Sequence, residues 1–303
     1  MLGFLPAALI ALLFLPVVVA NTIFFASLIT VLMPLRFLMP THALRAGITA
    51  FLVTLATTWA HLNNHVYYRL LPRIEWDIEL PDGLRRDKWY FVIANHQSWV
   101  DIIVLFYVFN GRTPFLKYFL KQELIWIPFL GAGMYALDFP FMKRYSREVL
   151  EKRPELKGRD IVTTRRSCEK FRYTPVSVMN FLEGTRFTPV KHAQQQSPYR
   201  YLLKPKAGGM AFTLSALGDQ MHCLLDTTIA YPDGIPSFMD FCSGRVRHVR
   251  VRVQRRDIPP EAFSADYEND EAFRTSFQRW VASLWEEKDA LISSLLSSGK
   301  PSC

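Results

Sequence analysis

The N-terminal part of the chain contains two long apolar blocks separated by a short basic interval. Residues 4–35 carry no charged side chain, and the block is longer than the about 20 residues that a helix needs to cross a bilayer. It therefore predicts a transmembrane helix, which Pro16 and Asn21 can tilt or kink. We do not expect a cleaved signal peptide, because the block is too long and no basic residue precedes it.

The second apolar block covers residues 46–60 and is rather short for a span. It predicts an interfacial or re-entrant helix under the following domain, with a second membrane span as the alternative. His61 and His65 have a metal-ligand spacing on this helix, but without a third ligand we expect a polar surface that faces headgroups. Arg36 and Arg45 follow the first block and place the rest of the chain on the cytoplasmic side.

From residue 74 onward the pattern changes to short strands that alternate with helical segments. The alternating segment 74–80 predicts a half-buried strand, and the apolar run 88–96 predicts a buried strand that is followed by a helix over 99–109. We predict further strands at 176–182, 223–231 and 246–254, and helices at 115–125, 160–172, 207–218 and 271–296. This alternation indicates an α/β domain with a mostly parallel central sheet flanked by helices.

These changes of pattern predict three parts of the chain. Residues 1–72 form an N-terminal membrane anchor with a transmembrane helix and a second apolar or interfacial helix, and residues 73–260 form the main domain. Residues 261–303 form a C-terminal helix packed on that domain, because the apolar side chains of this helix, Phe273 and Phe277 among them, largely share one face.

Composition narrows the choice of partners. The formal net charge of +9 fits nucleic acid, anionic lipid headgroups or a phosphorylated small substrate. No nucleic-acid motif is recognisable, and the apolar N-terminus favours the two membrane-related partners. The four cysteines form no CxxC pair and no zinc spacing, which indicates unpaired thiols in a reducing compartment.

A candidate catalytic pair follows the buried strand in the segment NHQSWVD, which begins at Asn95. An alcohol is a poor nucleophile until a base removes its proton, and His96 is suited to act as such a base near neutral pH. Asp101 would fix the tautomer of the imidazole and stabilise the imidazolium, as in a serine-hydrolase triad whose serine is replaced by the substrate hydroxyl. The spacing alone often arises by coincidence. Ser98 follows no Gly-x-Ser-x-Gly elbow and is assigned a structural or hydrogen-bonding role.

A second group of polar residues, Glu183, Gly184, Thr185 and Arg186, follows another strand-like run. Gly184 permits a tight turn, and Arg186 offers a planar fork for phosphate. Glu183 is suited to hold that arginine or to bind a substrate hydroxyl. The alternative is a routine turn with a surface ion pair.

Three further segments are candidates for the same binding site, two because they carry basic residues and one because it ends a predicted strand. Lys143 and Arg144 follow two aromatic residues, and Lys204 precedes a glycine-containing helix start whose amides can meet an anion. The strand at 223–231 ends in Tyr231 and Pro232.

In order and spacing, the motifs NHQSWVD, FMKR, FLEGTR and IAYP resemble those of the 1-acylglycerol-3-phosphate O-acyltransferase family, over about residues 70–260. The segments KYFLKQELIWIPFLG, FMKRYSRE and TTRRSCEKFR are more similar to a bacterial inner-membrane paralogue, on the branch that includes lysocardiolipin acyltransferases.

The resemblance implies a glycerol-3-phosphate acyltransferase-like fold, with His96 as the general base and Asp101 as its orienting carboxylate. It implies that the acceptor and donor are bound by Asn95, Ser98, Lys143, Arg144, Glu183, Gly184, Thr185, Arg186, Lys204, Tyr231 and Pro232. Tyr231 and Pro232 match the block usually assigned to acyl-donor binding or to the shape of the site. The residues preceding Arg144 and Pro232 depart from the commonest family pattern, which leaves the headgroup and the acyl chain open.

The function implied by the resemblance is transfer of a fatty acyl group from acyl-CoA or acyl-ACP to the sn-2 hydroxyl of a lysophospholipid. The first acceptor to consider is 1-acyl-sn-glycerol-3-phosphate, which would give phosphatidic acid. We expect membrane phospholipids as partners and no bound cofactor, metal or nucleic acid. The expected location is the cell inner membrane, with the catalytic domain on the cytoplasmic face. The alternatives are a lysophosphatidylglycerol or lysocardiolipin acyltransferase, a transacylase, and a membrane-bound lipid-binding scaffold without catalysis.

Overall fold

The N-terminal part of the chain forms a pair of long helices. The computed structural model describes residues 5–71, 74–128, 130–142, 171, 174–218, 221, 223–264, 266–267 and 269–297. The first helices are α1 (Ala7–Leu32), α2 (Leu35–Leu38) and α3 (His42–Leu70). Asn21 donates to Asn63 at 2.8 Å, and Trp59 donates to Thr22 at 3.1 Å, so polar side chains join α1 to α3 within their apolar surfaces.

The second apolar block belongs to a longer helix than the interval 46–60 indicated. α3 has 29 residues, and within the described part of the chain two helical segments, Ala7–Leu38 and Ala43–Tyr67, are long and apolar enough to cross a membrane by length and composition alone. Pro16 lies inside α1 without ending the helix.

The main domain is built on a six-stranded sheet in the order β1-β8-β7-β2-β6-β3. Its strands are β1 (Glu75–Glu79), β2 (Tyr90–Ala94), β3 (Leu116–Tyr118), β6 (Ser177–Phe181), β7 (Leu224–Ala230) and β8 (His248–Arg256). The pairing of β7 with β8 is antiparallel, and the other pairings in this sheet are parallel. A second sheet joins β4 (Leu120–Lys121) to β5 (Phe141–Met142). The mostly parallel α/β fold is therefore confirmed.

Helices cover both faces of the six-stranded sheet. They are α4 (Val100–Phe109), α5 (Leu130–Ala136), α6 (Pro189–Gln195), α7 (Ala207–Leu217), α8 (Phe238–Cys242) and α9 (Glu271–Ser297), with 3-10 turns at Gln122–Trp126 and Pro260–Phe263. Because side chains alternate along a strand, Phe91 and Ile93 of β2 enter the core under α7 and α9, whereas Val92 and Ala94 enter the core under α4. This double burial explains why β2 is a continuous apolar run.

The predicted helix at 115–125 is wrong. Leu116, Lys117 and Tyr118 pair with β6, and a 3-10 turn follows at Gln122–Trp126, because pairing with a distant strand overrides the local preference of this segment. The short helices α5, α6 and α8 were not predicted. The predicted helix at 160–172 falls almost entirely outside the described residues.

The helix α1 contacts the main domain near both of its ends. Ile10 and Phe14 are buried in the same core cluster as Phe241, and Ile29 is buried in a cluster with Ala136 and Leu137. At a rise of about 1.5 Å per residue, Ile10 and Ile29 are about 28 Å apart along the helix. The domain therefore extends along most of the length of α1.

Candidate functional site

The predicted base and carboxylate meet in the loop between β2 and α4. Nδ1 of His96 lies 2.9 Å from Oδ2 of Asp101. The same oxygen accepts the backbone N–H groups of Gln97 at 2.6 Å and Ser98 at 2.8 Å. Asp101 lies in the first turn of α4, and the loop that precedes the helix wraps around its carboxylate. These local hydrogen bonds fix the position of the His96 imidazole.

The other oxygen of Asp101 is engaged by a residue from a different strand. The hydroxyl of Tyr231, directly after β7, donates to Oδ1 at 2.6 Å. Burial of the phenol, with the nearby carboxylate, raises the pKa of Tyr231 well above its usual value, so the hydroxyl keeps its proton. Asp101 is fully buried, and these donors satisfy both of its oxygens in the interior.

The imidazole of His96 is fixed on one side and open on the other. Its ring stacks on Phe181 with 3.9 Å between ring centroids. Its side chain is 12% exposed, and among the described residues Nε2 has no hydrogen-bond partner. With Nδ1 directed at the carboxylate, Nε2 is the nitrogen that can accept a proton from a substrate hydroxyl.

The buried carboxylate of Glu183 supports the backbone of the site. One oxygen accepts the N–H of His96 at 2.7 Å, and the other accepts the N–H of Leu203 at 2.9 Å. Burial raises the pKa of Glu183 to about 7, against the opposing effect of these two hydrogen bonds. In the described contacts, Glu183 therefore engages backbone amides and does not hold Arg186.

Arg186 lies on an aromatic side chain of the loop that follows His96. Its guanidinium is 4.8 Å from the centre of the Trp99 ring, a cation–π contact between the two motifs. Trp99 is 53% exposed. The pair therefore presents a charged planar group at the exposed side of the loop that follows His96.

Two lysines that sequence reasoning did not assign to the site surround the same turn. Nζ of Lys191 donates to Thr185 at 2.7 Å and to the carbonyl of Arg186 at 3.2 Å. Gly184 adopts a left-handed backbone conformation, with φ of +69°. The side chain of Lys206 lies directly over this turn, since a Cβ atom added to Gly184 would be 2.9 Å from Nζ of Lys206. Lys191 was missed because the helix that carries it, α6, was not predicted.

Other predicted site residues have roles in holding the loop and strands together. Asn95 exchanges two hydrogen bonds of 2.9 Å with the backbone of Ile229, which ties the end of β2 to β7. Ser98 donates to the carbonyl of Pro236 at 2.5 Å. Lys204 is exposed. Pro232 follows Tyr231 at the end of β7 and is partly buried.

The second basic motif and two cysteines cannot be placed. Lys143, Arg144, Cys168 and Cys303 lie outside the described residues. In the part that is described, no group of three His, Cys, Asp or Glu side chains is arranged to hold a metal ion. Cys223 and Cys242 are buried and unpaired.

The residues that form this site lie within a recognisable family domain. Residues 76–231, just over half of the chain, match the family model described as Acyltransferase. The chain belongs to the Acyltransferase family. This match confirms the resemblance based on the four motifs and covers the His96 loop, the Arg186 turn and Tyr231.

Curated relatives of this acyltransferase-family chain carry lipid-related names. One is 1-acyl-sn-glycerol-3-phosphate acyltransferase gamma from Mus musculus, 27% identical over 66% of this chain and 51% of the relative. Another is lysocardiolipin acyltransferase 1 from Gallus gallus, 25% identical over 72% of this chain and 57% of the relative. The chain spans between half and about three-fifths of the length of such relatives.

A solved structure shows the same fold over nearly the whole chain. It is the crystal structure of the 1-acyl-sn-glycerophosphate (LPA) acyltransferase, PlsC, from Thermotoga maritima, with a TM-score of 0.57 and 17% identity. The match covers 97% of this chain and 98% of that chain, and so includes the N-terminal helices.

Proposed function

We propose that this protein transfers a fatty acyl group from acyl-CoA or acyl-ACP to the sn-2 hydroxyl of a lysophospholipid. The observation that carries the proposal is the 2.9 Å contact between His96 and Asp101, with Nε2 of His96 open beside Arg186. Among the described residues no serine or cysteine contacts Nε2 of His96, which suits direct deprotonation of an acceptor alcohol. The first acceptor is 1-acyl-sn-glycerol-3-phosphate, giving phosphatidic acid, in line with the name of the mouse relative.

The cationic turn supports a phosphorylated acceptor. Arg186 presents its guanidinium on Trp99, and Lys191 and Lys206 lie around the same turn. Guanidinium groups bind phosphate through two parallel hydrogen bonds. A phosphate held here would place a glycerol hydroxyl within reach of the neighbouring His96.

The proposed reaction is one direct displacement. Nε2 of His96 takes the proton of the acceptor hydroxyl as its oxygen attacks the thioester carbonyl carbon. An ester C–O bond forms, the C–S bond breaks, and the leaving thiolate receives the proton from the imidazolium. Asp101 stabilises that imidazolium through Nδ1–H, and no acyl-enzyme intermediate is needed.

A lysocardiolipin or lysophosphatidylglycerol acceptor is the second candidate, supported by the name of the chicken relative. These acceptors also carry a phosphate that Arg186 can bind, so the chemistry at His96 would be unchanged. A panel of the three lysophospholipids, each tested with acyl-CoA and with acyl-ACP, separates the candidates. Product formed without either donor would identify a transacylase.

We place the protein at the cell inner membrane, with the catalytic domain on the cytoplasmic face. The unpaired Cys223 and Cys242 fit a reducing compartment. We propose further that α1 attaches the protein within one leaflet, in place of the bilayer-spanning helix that its length predicts, because α1 contacts the main domain near both of its ends. The hydrocarbon core of a bilayer is about 30 Å thick. If α1 crossed it perpendicular to the membrane plane, Phe241 would lie at one membrane face and Ala136 at the other. Both residues belong to the same domain, which would then have to lie inside the bilayer.

The decisive test is His96→Ala in purified membranes with radiolabelled acyl donors. We expect acyl transfer to fall by about three orders of magnitude or more, while membrane association is retained. His248→Ala is the matched control, because His248 is a half-exposed histidine that forms ion pairs with Asp233 and Glu75. Transfer that survives in His96→Ala would contradict the proposed base.

A further inference from the structure

A buried lysine of α9 is surrounded by oxygen atoms of β7. Nζ of Lys288 lies 2.5 Å from the carboxylate of Asp226, and it donates to the carbonyl of Thr227 at 2.7 Å and to the hydroxyl of Thr228 at 3.2 Å. An ammonium group has three N–H donors, so three acceptors match the charged form of the side chain. Lys288 is 1% exposed. Through this one side chain, α9 therefore holds three successive residues of β7.

The end of β7 carries the contacts that hold the His96 loop. Ile229, which directly follows the residues bonded to the lysine, exchanges two hydrogen bonds of 2.9 Å with the side chain of Asn95. Tyr231, just after the strand, donates to Asp101 at 2.6 Å. A displacement of this strand end would therefore move both the residue that precedes His96 and the carboxylate that orients it.

The charge of Lys288 also acts on the carboxylate that supports the backbone of His96. The two oxygens of Glu183 accept the N–H groups of His96 and Leu203. Burial raises the pKa of Glu183 to about 7, its two hydrogen bonds lower it, and the charge of Asp101 raises it whereas the charge of Lys288 lowers it. Protonation turns one carboxyl oxygen into an O–H donor, so the ionised form is the better acceptor for both N–H groups. Lys288 therefore favours the form of Glu183 that holds the site.

Two other cations lie near this buried set, and both are closer to solvent. Arg256 of β8 lies 4.0 Å from the carboxylate that pairs with Lys288, and it also contacts Glu287 at the surface. Lys206 crosses the turn next to Glu183 and is exposed. Among the described residues, Lys288 is the cation whose charge lowers the pKa of Glu183. The charge that matters for this carboxylate thus comes from inside the protein, where solvent screens it least.

We propose that Lys288 is a positioning residue for acyl transfer, because it fixes the end of β7 that holds the His96 loop. Its charge in addition favours the ionised carboxylate of Glu183. Lys288 lies outside residues 76–231, which match the family model, so a residue of the C-terminal helix completes the support of the base. The proposal rests on the proposed function, in which His96 removes the proton of the acceptor.

The test separates the position of the base from the stability of the fold. Asp226→Leu/Lys288→Met removes both charges and leaves an apolar contact between α9 and β7. In the full-length protein, with lysophosphatidate and a labelled acyl donor, we expect kcat at pH 7 to fall about ten-fold or more, and each KM to change by less than about two-fold. The ascending limb of the pH–kcat profile should move to higher pH by about half a unit or more, because Glu183 loses a nearby positive charge.

Two single variants complete the kinetic test. Ile292→Val is the matched control, since Ile292 is buried on α9 one turn after Lys288 and its shortening loosens the helix without touching a charge. Its kcat and pH profile should equal those of the wild type. Thr228→Val, which removes one acceptor of the ammonium group and keeps a side chain of similar size, should lower kcat by about two- to five-fold. This mild change tests the proposal even if the double variant does not fold.

A second measurement needs no catalysis. The unfolding temperature is followed from pH 5 to pH 8 with and without Glu183→Gln, so that the difference reports the titration of Glu183. Loss of the Lys288 charge raises the pKa of Glu183 in the folded protein, so the fall in stability should begin at higher pH in Asp226→Leu/Lys288→Met than in the wild type.

The outcomes that contradict the proposal are distinct. Wild-type kcat and an unmoved pH limb in the folded double variant would show that Lys288 only stabilises the fold. An equal loss of kcat in Ile292→Val would assign the effect to a loosened helix, and unchanged kcat in Thr228→Val would detach the ammonium contacts from catalysis. Wild-type protein inactive on lysophosphatidate would overturn the proposed function, while the unfolding measurement would still decide the coupling of Lys288 to Glu183.

Discussion

The hydroxyl of Tyr231 donates a 2.6 Å hydrogen bond to Asp101, on the carboxylate oxygen that His96 does not contact. The carboxylate therefore lies between the imidazole and the phenol, with no exposure to solvent. Tyr231 was expected from the family resemblance to contribute to acyl-donor binding or to the shape of the site. Its position indicates that it orients Asp101, and through it the proposed base.

Tyr231→Phe tests this orientation. Loss of a hydrogen bond to a buried charged group costs about 1.5–3 kcal/mol, so we expect kcat to fall about ten- to one-hundred-fold with little change in the KM for acyl donor. Tyr118→Phe is the matched control, because the buried hydroxyl of Tyr118 has no hydrogen-bond partner among the described residues. If Tyr231→Phe raises only the KM for the acyl donor and leaves kcat unchanged, Tyr231 contributes to donor binding and does not orient Asp101.

Glu183 should make stability depend on pH. Burial raises the pKa of Glu183 from 4.5 to about 7 in the folded protein, so between these values the folded state holds a proton that the unfolded state releases. The stabilising contribution is fully present below the unfolded pKa and is lost as the pH rises through about 7. The rise in the pKa of Glu183 on folding corresponds to about 3 kcal/mol in the free energy of unfolding.

Glu183→Gln removes this titration. The unfolding temperature of the wild-type protein, measured in detergent from pH 5 to pH 8, should fall more steeply than that of Glu183→Gln. The variant should also lose activity. The glutamine side chain has only one oxygen, so it can accept the backbone N–H of His96 or of Leu203 but not both, and its NH₂ group faces the other N–H. Parallel pH profiles for the two proteins would show that the Glu183 carboxylate does not titrate in this range.

Arg186 should determine the affinity for phosphate. Arg186→Ala removes a charge-assisted contact of about 1.5–3 kcal/mol, so the KM for lysophosphatidate should rise about ten- to one-hundred-fold. Trp99→Leu, which removes the aromatic support of the guanidinium, should raise the same KM by a few fold. Monoacylglycerol, which lacks the phosphate, is the control acceptor. Equal effects of Arg186→Ala on both acceptors would separate Arg186 from phosphate recognition.

A buried ion pair attaches the C-terminal helix to the centre of the sheet. Nζ of Lys288 in α9 lies 2.5 Å from Asp226 of β7 and donates to the carbonyl of Thr227 at 2.7 Å. Desolvation lowers the pKa of Lys288. We expect Lys288→Met to lower the free energy of unfolding by about 3–5 kcal/mol, because it leaves the buried Asp226 with only the 4.0 Å contact to Arg256. Asp226→Leu/Lys288→Met should recover much of this loss in a denaturant titration. A double variant no more stable than Lys288→Met would contradict this coupling.

The parts of the fold that the sequence predicts are those with a strong local pattern. The five buried residues of β2 and the long amphipathic α9 fall where their periodicity places them. The 115–125 segment does not, because Leu116–Tyr118 pairs with Ser177–Met179, a partner that no local window contains. Short helices such as α6 lack the length over which periodicity becomes visible.

In the candidate site, too, contacts between residues close in sequence could be predicted, whereas contacts between distant residues could not. His96 and Asp101 are five residues apart, so the geometry of one turn brings them together. Tyr231 is 130 residues from Asp101, and Glu183 is 87 residues from His96. Their contacts depend on the neighbouring order of β7, β2 and β6, which follows from the whole chain.

The attachment of α1 along the domain has a consequence for solubility. Phe14 lies 5.6 Å from Tyr67 and 6.1 Å from Phe241, between ring centroids, so part of the surface beneath α1 is as apolar as the helix itself. Cutting the chain after α1 would expose this apolar surface to solvent, so we expect the truncated protein to aggregate. The helix that is apolar enough to cross a membrane is also a wall of the hydrophobic core, so truncation cannot remove the first property without damaging the core.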